Sequence, residues 1–198
     1  MIICENLLFS HGAEQQNYSS GEYIFEEEST PKYYLQIKTG MVKISSFLED
    51  GKEFIHSMPF DGHCLAESYL FSNKKYAVNA IAVSDCEIIK LEKNKLIDLL
   101  LKKPQLIFNL YSYTADRIRY KHITSAPFSF QDPVTKLNLI LNHVKSHFGF
   151  NEKFSFHVPY TRQQLASITG MRIETVIRAI KKMEKQNMLK IDGTKIFV

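Results

Sequence analysis

Ile173, Glu174, Ile177, Arg178 and Lys181 have the types and spacing that suit the reading of base edges in a nucleic-acid groove. At about 100° per residue along a helix they share one side, while Val176, Ala179, Ile180 and Met183 share the other and must pack inward. Arginine donates to both acceptors of guanine, glutamate accepts from the amino group of cytosine, and an apolar side chain meets a thymine methyl. The plainer alternative makes Glu174 and Arg178 an i,i+4 ion pair worth about 0.2–0.5 kcal/mol, with the isoleucines seated in a neighbouring groove. A solvated face seldom keeps two isoleucines, so base reading accounts for more of the pattern.

Such a face needs a rigid platform, and the residues around it supply one. Thr161 opens a helix with Gln164 three residues on, the pattern of a capping box. Leu165, Ala166 and Ile168 give that helix its apolar contacts, and Gly170 can take the positive φ of a sharp reversal. Thr161 to Lys185 therefore reads as two short helices joined by a glycine turn, a helix-turn-helix. Upstream, Leu137, Ile140, Leu141 and Val144 put one apolar face on a helix from Val134 to Phe148. Downstream, MLKIDGTKIFV reads as two short strands around Asp192-Gly193, so the whole is a winged helix-turn-helix.

Charge supports a nucleic-acid partner. Residues 124–198 hold 11 Lys or Arg against 5 Asp or Glu, a net of +6, which leaves −2 for residues 1–123 out of the total of +4. No run of about 18 apolar residues suggests a membrane span, and MIICENLLFSHGAEQQ lacks the basic start and apolar core of a signal peptide. A cytoplasmic chain with no membrane partner is expected. Cys4, Cys64 and Cys86 are too few and too scattered for a disulfide framework or a thiolate cluster, and are expected to be reduced.

Residues 1–20 are weakly patterned, with a short helix around Cys4–Phe9. Between Gly21 and Leu91 the period changes to short alternating runs: GEYIFEE, YYLQIKTG, MVKISSF, EFIHSMPF, YAVNAIAV and CEIIKLE, with Asp50-Gly51 as a hairpin turn. These predict an antiparallel β domain. After Asn94 the pattern is helical, and from Pro104 to Thr124 it carries two apolar stripes. Leu106, Leu110, Tyr113 and Tyr120 form one, and Ile107, Tyr111, Thr114 and Ile118 the other; one can cover the β domain while the other meets the same helix of a second chain. SAPFSFQDP, residues 125–133, reads as a hinge.

The order of elements resembles the cyclic-AMP receptor protein and fumarate-nitrate reduction (CRP/FNR) regulators of bacteria. The matching stretches are GEYIF, TGMVKI, DGKE, GHCLAESYLF, DCEIIKL and YTRQQLASITGMRIETVIRAIKKME. The resemblance implies an α+β chain: a jelly-roll-like β-roll of the cyclic-nucleotide-binding type over residues 1–103, a dimerisation helix over 104–124, and a winged helix-turn-helix over 125–198. It implies a homodimer on an inverted repeat of double-stranded DNA, with RNA polymerase as a further partner. Ile173, Glu174, Ile177 and Arg178 are then the base readers, and Thr161, Arg162, Arg172, Thr175 and Lys181 the backbone contacts. Leu106, Ile107, Leu110, Tyr113, Thr114 and Ile118 are the candidates for the dimer seam.

An effector pocket is implied at Ala66, Glu67, Ser68, Tyr76, Ala77, Lys121 and His122. Cyclic-AMP-binding members carry Gly-Glu and Arg-Ser where this chain has Ala66-Glu67 and Tyr76-Ala77, and Thr-Ser where it has Lys121-His122. The fork that would hold a phosphate is missing, and Lys74 and Lys75 offer only point charges. Cyclic AMP is therefore not the expected effector, and no cofactor is expected. Iron-sulfur members use an N-terminal group of cysteines, and here only Cys4 stands in that region. His11, His56, His63, Cys64 and His122 are the conceivable haem ligands. The competing function is a cupin-like metal-binding or enzymatic β domain, but that site needs several His and a Glu converging, and the β region offers only His56 and His63.

Overall fold

Polar side chains are rarely buried on a strand without hydrogen-bond partners, and Gln36, Ser45 and Asn79 are buried on strands in the first half of the chain. The computed structural model describes residues 2–130 and 132–198, and the side chains of all of these except 123–130. Two compact units result, Met1–Ile118 and Arg119–Val198. The first runs α1 (Glu5–Ser10), β1 (Glu14–Tyr18), β2 (Tyr23–Phe25), β3 (Tyr33–Thr39), β4 (Val42–Phe47), β5 (Glu53–Ser57), α2 (Tyr69–Ser72), β6 (Asn79–Ala82), β7 (Cys86–Glu92) and α3 (Lys93–Lys102). The long α4 (Gln105–Phe130) follows, and the boundary between the units falls within it.

Two antiparallel sheets, ordered β1-β7-β3 and β2-β6-β4-β5, enclose a core of Tyr18, Phe25, Leu35, Ile37, Val42, Ile44, Tyr76, Ala80 and Ile88. On the other face of β1-β7-β3, Tyr34, Ile89 and Leu91 pack with Leu8 of α1, Leu96, Leu99 and Leu100 of α3, and Leu110 of α4. β3 and β7 are thus buried on both faces, while β1 is mostly exposed. Gln36, fully buried on β3, is tolerated because its amide accepts from Ile3 N (3.1 Å) and Tyr34 Oη (2.7 Å) and donates to Ile3 O (2.9 Å). The β3–β4 turn needs Gly40 at φ +105: an added Cβ would meet the Asp85 carbonyl oxygen at 2.5 Å and Cys86 Sγ at 2.6 Å.

Each predicted strand segment contains a strand, and one strand was not predicted at all. β1, EQQNY, has four exposed polar positions and pairs with β7 along its backbone, with Lys90 Nζ donating to Gln16 Oε1 at 2.7 Å, so it carries no apolar alternation to read. Among the helices, α1 lies one residue from its expected place. α4 does not stop at Thr124 but continues to Phe130, through most of the segment expected to be a hinge. A proline inside a helix removes one donor and disfavours the turn before it, without obliging the helix to end. Of that segment, Gln131 lies outside the described residues.

The second unit holds α5 (Pro133–His147), α6 (Arg162–Thr169), α7 (Ile173–Lys185), β8 (Lys190–Asp192) and β9 (Lys195–Phe197). Asp132 starts α5 by accepting from Val134 N at 3.0 Å and from Thr135 Oγ1 at 2.6 Å, with Pro133 at the first helical position. Leu137, Ile140, Leu141 and Val144 then meet Leu165, Val176, Ala179, Ile180, Met183 and Ile196 in a separate core.

Candidate nucleic-acid interface and effector region

The turn between α6 and α7 is fixed by local hydrogen bonds. Thr161 Oγ1 accepts from Gln164 N (3.1 Å) while Gln164 Oε1 accepts from Thr161 N (2.8 Å), the reciprocal capping box. At the other end Gly170, at φ +66, donates its N–H to the Ala166 carbonyl, and Met171 N donates to the same oxygen (3.1 Å). The Thr169 hydroxyl donates to the Leu165 carbonyl at 2.6 Å. These bonds hold the start of α7 in one place.

α7 turns Val176, Ala179, Ile180 and Met183 into the core, as its periodicity predicts. Glu174, Arg178 and Lys181 are exposed. No ion pair within the 4.0 Å limit joins Glu174 to Arg178 among the described residues, so the simple i,i+4 pairing does not form. The isoleucines are less exposed than their face suggests: Ile177 is half-buried, and Ile173 is half-buried with part of its surface packed on the domain core. Arg172 sits at the N-cap without capping through its side chain and is exposed, and Thr175 is half-buried. Arg162 makes one bond within the chain, its Nη1 donating to the Thr194 carbonyl at 3.0 Å. That bond joins α6 to the β8–β9 hairpin.

In the first unit, Ala66, Glu67 and Tyr76 of the implied effector pocket are drawn inward. Ala66 is buried at φ +47, where an L-residue costs about 1–2 kcal/mol relative to glycine. The next residue, Glu67, is only 2% exposed. Its Oε1 accepts from Thr114 Oγ1 at 2.7 Å and its Oε2 from Arg117 Nη1 at 2.9 Å, so both oxygens are held from α4. The Arg117 guanidinium lies 5.4 Å from the Tyr113 ring centroid, and Tyr113 Oη donates to the Cys64 carbonyl at 3.3 Å. Burial, and then the Glu67 charge, push the Cys64 thiol well up, which keeps it protonated.

Tyr76, where the resemblance would place a phosphate fork, is an aromatic plug. Its ring stacks on Phe25 at 3.8 Å and 13°, and is 3% exposed. Burial pushes its phenol up to about 12, so the hydroxyl stays neutral. Ser68 and Ala77 are exposed beside this core, and Lys121 and His122 are exposed residues of the second unit. Of the conceivable haem ligands, His56 Nε2 is 2.9 Å from Ser46 Oγ, His63 Nδ1 accepts from Phe60 N at 3.2 Å, and His11 Nδ1 is 2.9 Å from the Leu7 carbonyl. Among the described residues no group of three or more His, Cys, Asp or Glu is placed to hold a metal.

On α4, Leu106, Leu110 and Tyr113 pack on the β domain and Thr114 bonds to Glu67. Tyr120 stacks on His143 at 3.7 Å within the second unit. Ile107, Phe108, Tyr111 and Ile118 remain exposed, Tyr111 to 73%. Sequence reasoning passed over Phe108 because it lies outside both stripes, and Arg117 because nothing local marks it as a partner for a residue 50 positions away.

A nucleotide-type β domain followed by a winged helix-turn-helix defines a DNA-binding transcription regulator. Residues 15–103 match the cyclic nucleotide-binding domain family and residues 137–198 the Crp-like helix-turn-helix domain family. The chain is 28% identical over 174 residues to the cAMP-activated global transcriptional regulator CRP of Haemophilus influenzae, covering 87% of this chain and 77% of that protein. To the protein of the same name in Salmonella typhimurium it is 26% identical over 182 residues, covering 91% and 86%. Among solved structures, its fold is similar to that of FixK2 from Bradyrhizobium japonicum, with a TM-score of 0.81, 21% identity, and 94% and 92% of the two chains covered. The c-di-GMP responsive global regulator CLP of Xanthomonas campestris gives a TM-score of 0.81 at 16% identity, over 98% and 96%. The chain belongs to the CRP/FNR family of transcription regulators.

The Glu67 clamp yields a stability prediction. Arg117→Met leaves a buried carboxylate short of its cation and is expected to destabilise the chain by about 2–4 kcal/mol, discounted from the usual buried-pair loss because the Arg117 side chain is 34% exposed. Adding Glu67→Gln to that variant should recover part of the loss. Urea unfolding of the two variants checks this, and a double variant as unstable as the single one would contradict it.

Proposed function

We propose that this regulator acts as a cytoplasmic homodimer on an inverted-repeat operator, with α7 as the base-reading helix and no requirement for cyclic AMP. The observation that carries the reading is the α7 face itself: exposed Glu174 and Arg178, unpaired with each other, on a helix whose opposite side is locked into the core. Unpaired donors and acceptors on a rigid helix are free to meet base edges. Glu174 and Arg178 read one C and one G in each half-site, and Ile177 with the outer part of Ile173 favours thymine methyls beside them. T-rich half-sites around a G·C pair follow. Thr161, Arg162, Arg172, Thr175 and Lys181 contact the backbone; the capped Thr161 oxygen accepts an amide and keeps its own proton to donate.

Dimerisation brings two recognition helices to successive major grooves about 34 Å apart. The seam we assign is Ile107, Phe108, Tyr111 and Ile118, the apolar side of α4 that the β domain leaves uncovered. No reaction is assigned to the chain, and the metal-cupin alternative is not favoured, since among the described residues no group of three or more His, Cys, Asp or Glu is placed to hold a metal.

Three measurements test this reading. Arg178→Ala is expected to cost about 1–3 kcal/mol on the selected operator and to relax preference at one position, whereas Lys181→Ala weakens all duplexes alike and lowers the salt slope by about one. Equal losses on operator and random DNA for Arg178→Ala would remove α7 as a base reader. In calorimetry, cyclic AMP is expected to give no binding at micromolar concentrations, because Tyr76 fills the place of the fork; a micromolar dissociation constant would refute that. Sedimentation is expected to give a dimer at tens of micromolar and a monomer for Tyr111→Glu, and a wild-type monomer with and without operator would remove the α4 seam.

A further inference from the structure

We propose that Arg162 is a positioning residue that fixes the tip of the wing against α6 and thereby makes Lys195 a phosphate contact, an inference that rests on reading the second unit as the DNA-binding element. The β8–β9 register pairs Lys190 with Phe197, Ile191 with Ile196 and Asp192 with Lys195. Alternation along the strands sends Ile191 and Ile196 to the core side, which leaves Lys190, Asp192 and Lys195 exposed on the outward face. That face presents two cations and one carboxylate.

The hairpin is anchored unevenly. At its base, Val158 N donates to the Ile196 carbonyl (2.9 Å), and Phe156 and Val198 exchange both backbone bonds (3.2 and 3.0 Å). None of these reaches the turn, where Gly193 stands at φ +57 between Asp192 and Thr194. The tie at the tip is the guanidinium of Arg162, the first residue of α6, whose Nη1 donates to the Thr194 carbonyl at 3.0 Å across 32 positions of sequence. Because the adjoining Thr161 is fixed by the capping box, the arginine starts from a rigid base.

A carbonyl takes one of the five N–H groups of a guanidinium and none of its charge. Arg162 is left with donors for a phosphate oxygen while it holds the tip, and Lys195 is the next residue after the one it grips. A clamped tip offers its ammonium without first losing the freedom of a loose turn, which lowers the entropy cost of binding. Two cations held side by side then act as one phosphate-binding unit, and losing the clamp loses both.

The test is the salt dependence of operator binding for four proteins, together with amide hydrogen exchange in the absence of DNA. Lys195→Gln should lower the salt slope by about one. Arg162→Gln should lower it by about two, and the double variant by the same amount, because Lys195 no longer contributes once the tip is released. Without DNA, Arg162→Gln should speed exchange at Gly193–Lys195 several-fold while α7 is unchanged, a readout that a simple phosphate contact would not move. A loss of about one from Arg162→Gln that adds to that of Lys195→Gln, or unchanged exchange at the tip, would overturn the proposal. Should Arg162→Gln fail to fold, Arg162→Lys takes its place: it keeps a cation but not the clamp, so faster tip exchange and a slope lower by about one are expected. Arg178→Ala reports separately on base reading, so the two proposals can fail independently.

Discussion

A carboxylate removed from water must be matched by donors, and the match that Glu67 finds ties the β domain to α4. One side chain from the turn after the sheets meets two from the helix, Thr114 and Arg117. The turn itself is set by Ala66 in a left-handed conformation, and Cys64, two residues earlier, offers its carbonyl to Tyr113. Three contacts within four residues hold one side of the long helix. Its other side is left for Ile107, Phe108, Tyr111 and Ile118, so the placement of Glu67 decides which apolar stripe can face outward.

The DNA-binding half depends on a different economy. Its core is assembled from α5, α6, α7 and the hairpin, and every apolar residue of α7 that the core requires is spaced to leave Glu174, Arg178 and Lys181 outside it. Packing and readout are thus settled by the same period.

Much of this was legible in the sequence wherever a pattern is local. The capping box at Thr161 and Gln164, the Gly170 reversal, the inward face of α7 and the Asp192-Gly193 hairpin are each written within a few residues, and each is found in the structure. The features that escaped are non-local or carried by backbone. β1 is held by pairing that its polar side chains do not advertise. The Glu67–Arg117 bond and the Arg162–Thr194 bond span 50 and 32 positions, and no periodicity links their ends. Ile173 was placed on the exposed face by its angle on the helix wheel, but at the first turn of α7 it also touches the core below the turn, which a projection of one helix cannot register.

The stacked pair of Phe25 and Tyr76 carries a consequence for how such a domain can change. With the rings 3.8 Å apart and nearly parallel, the pair fills its space with carbon and belongs to the core that joins the two sheets. Restoring an arginine at 76 alone would set an unpaired guanidinium against the face of Phe25 and remove the ring that the sheets close upon. The domain would lose stability before it gained a ligand. In evolutionary terms the plug acts as a ratchet: exchanging Phe25 or Tyr76 alone is a step downhill in stability, whereas glycine at 66 would relieve a left-handed backbone.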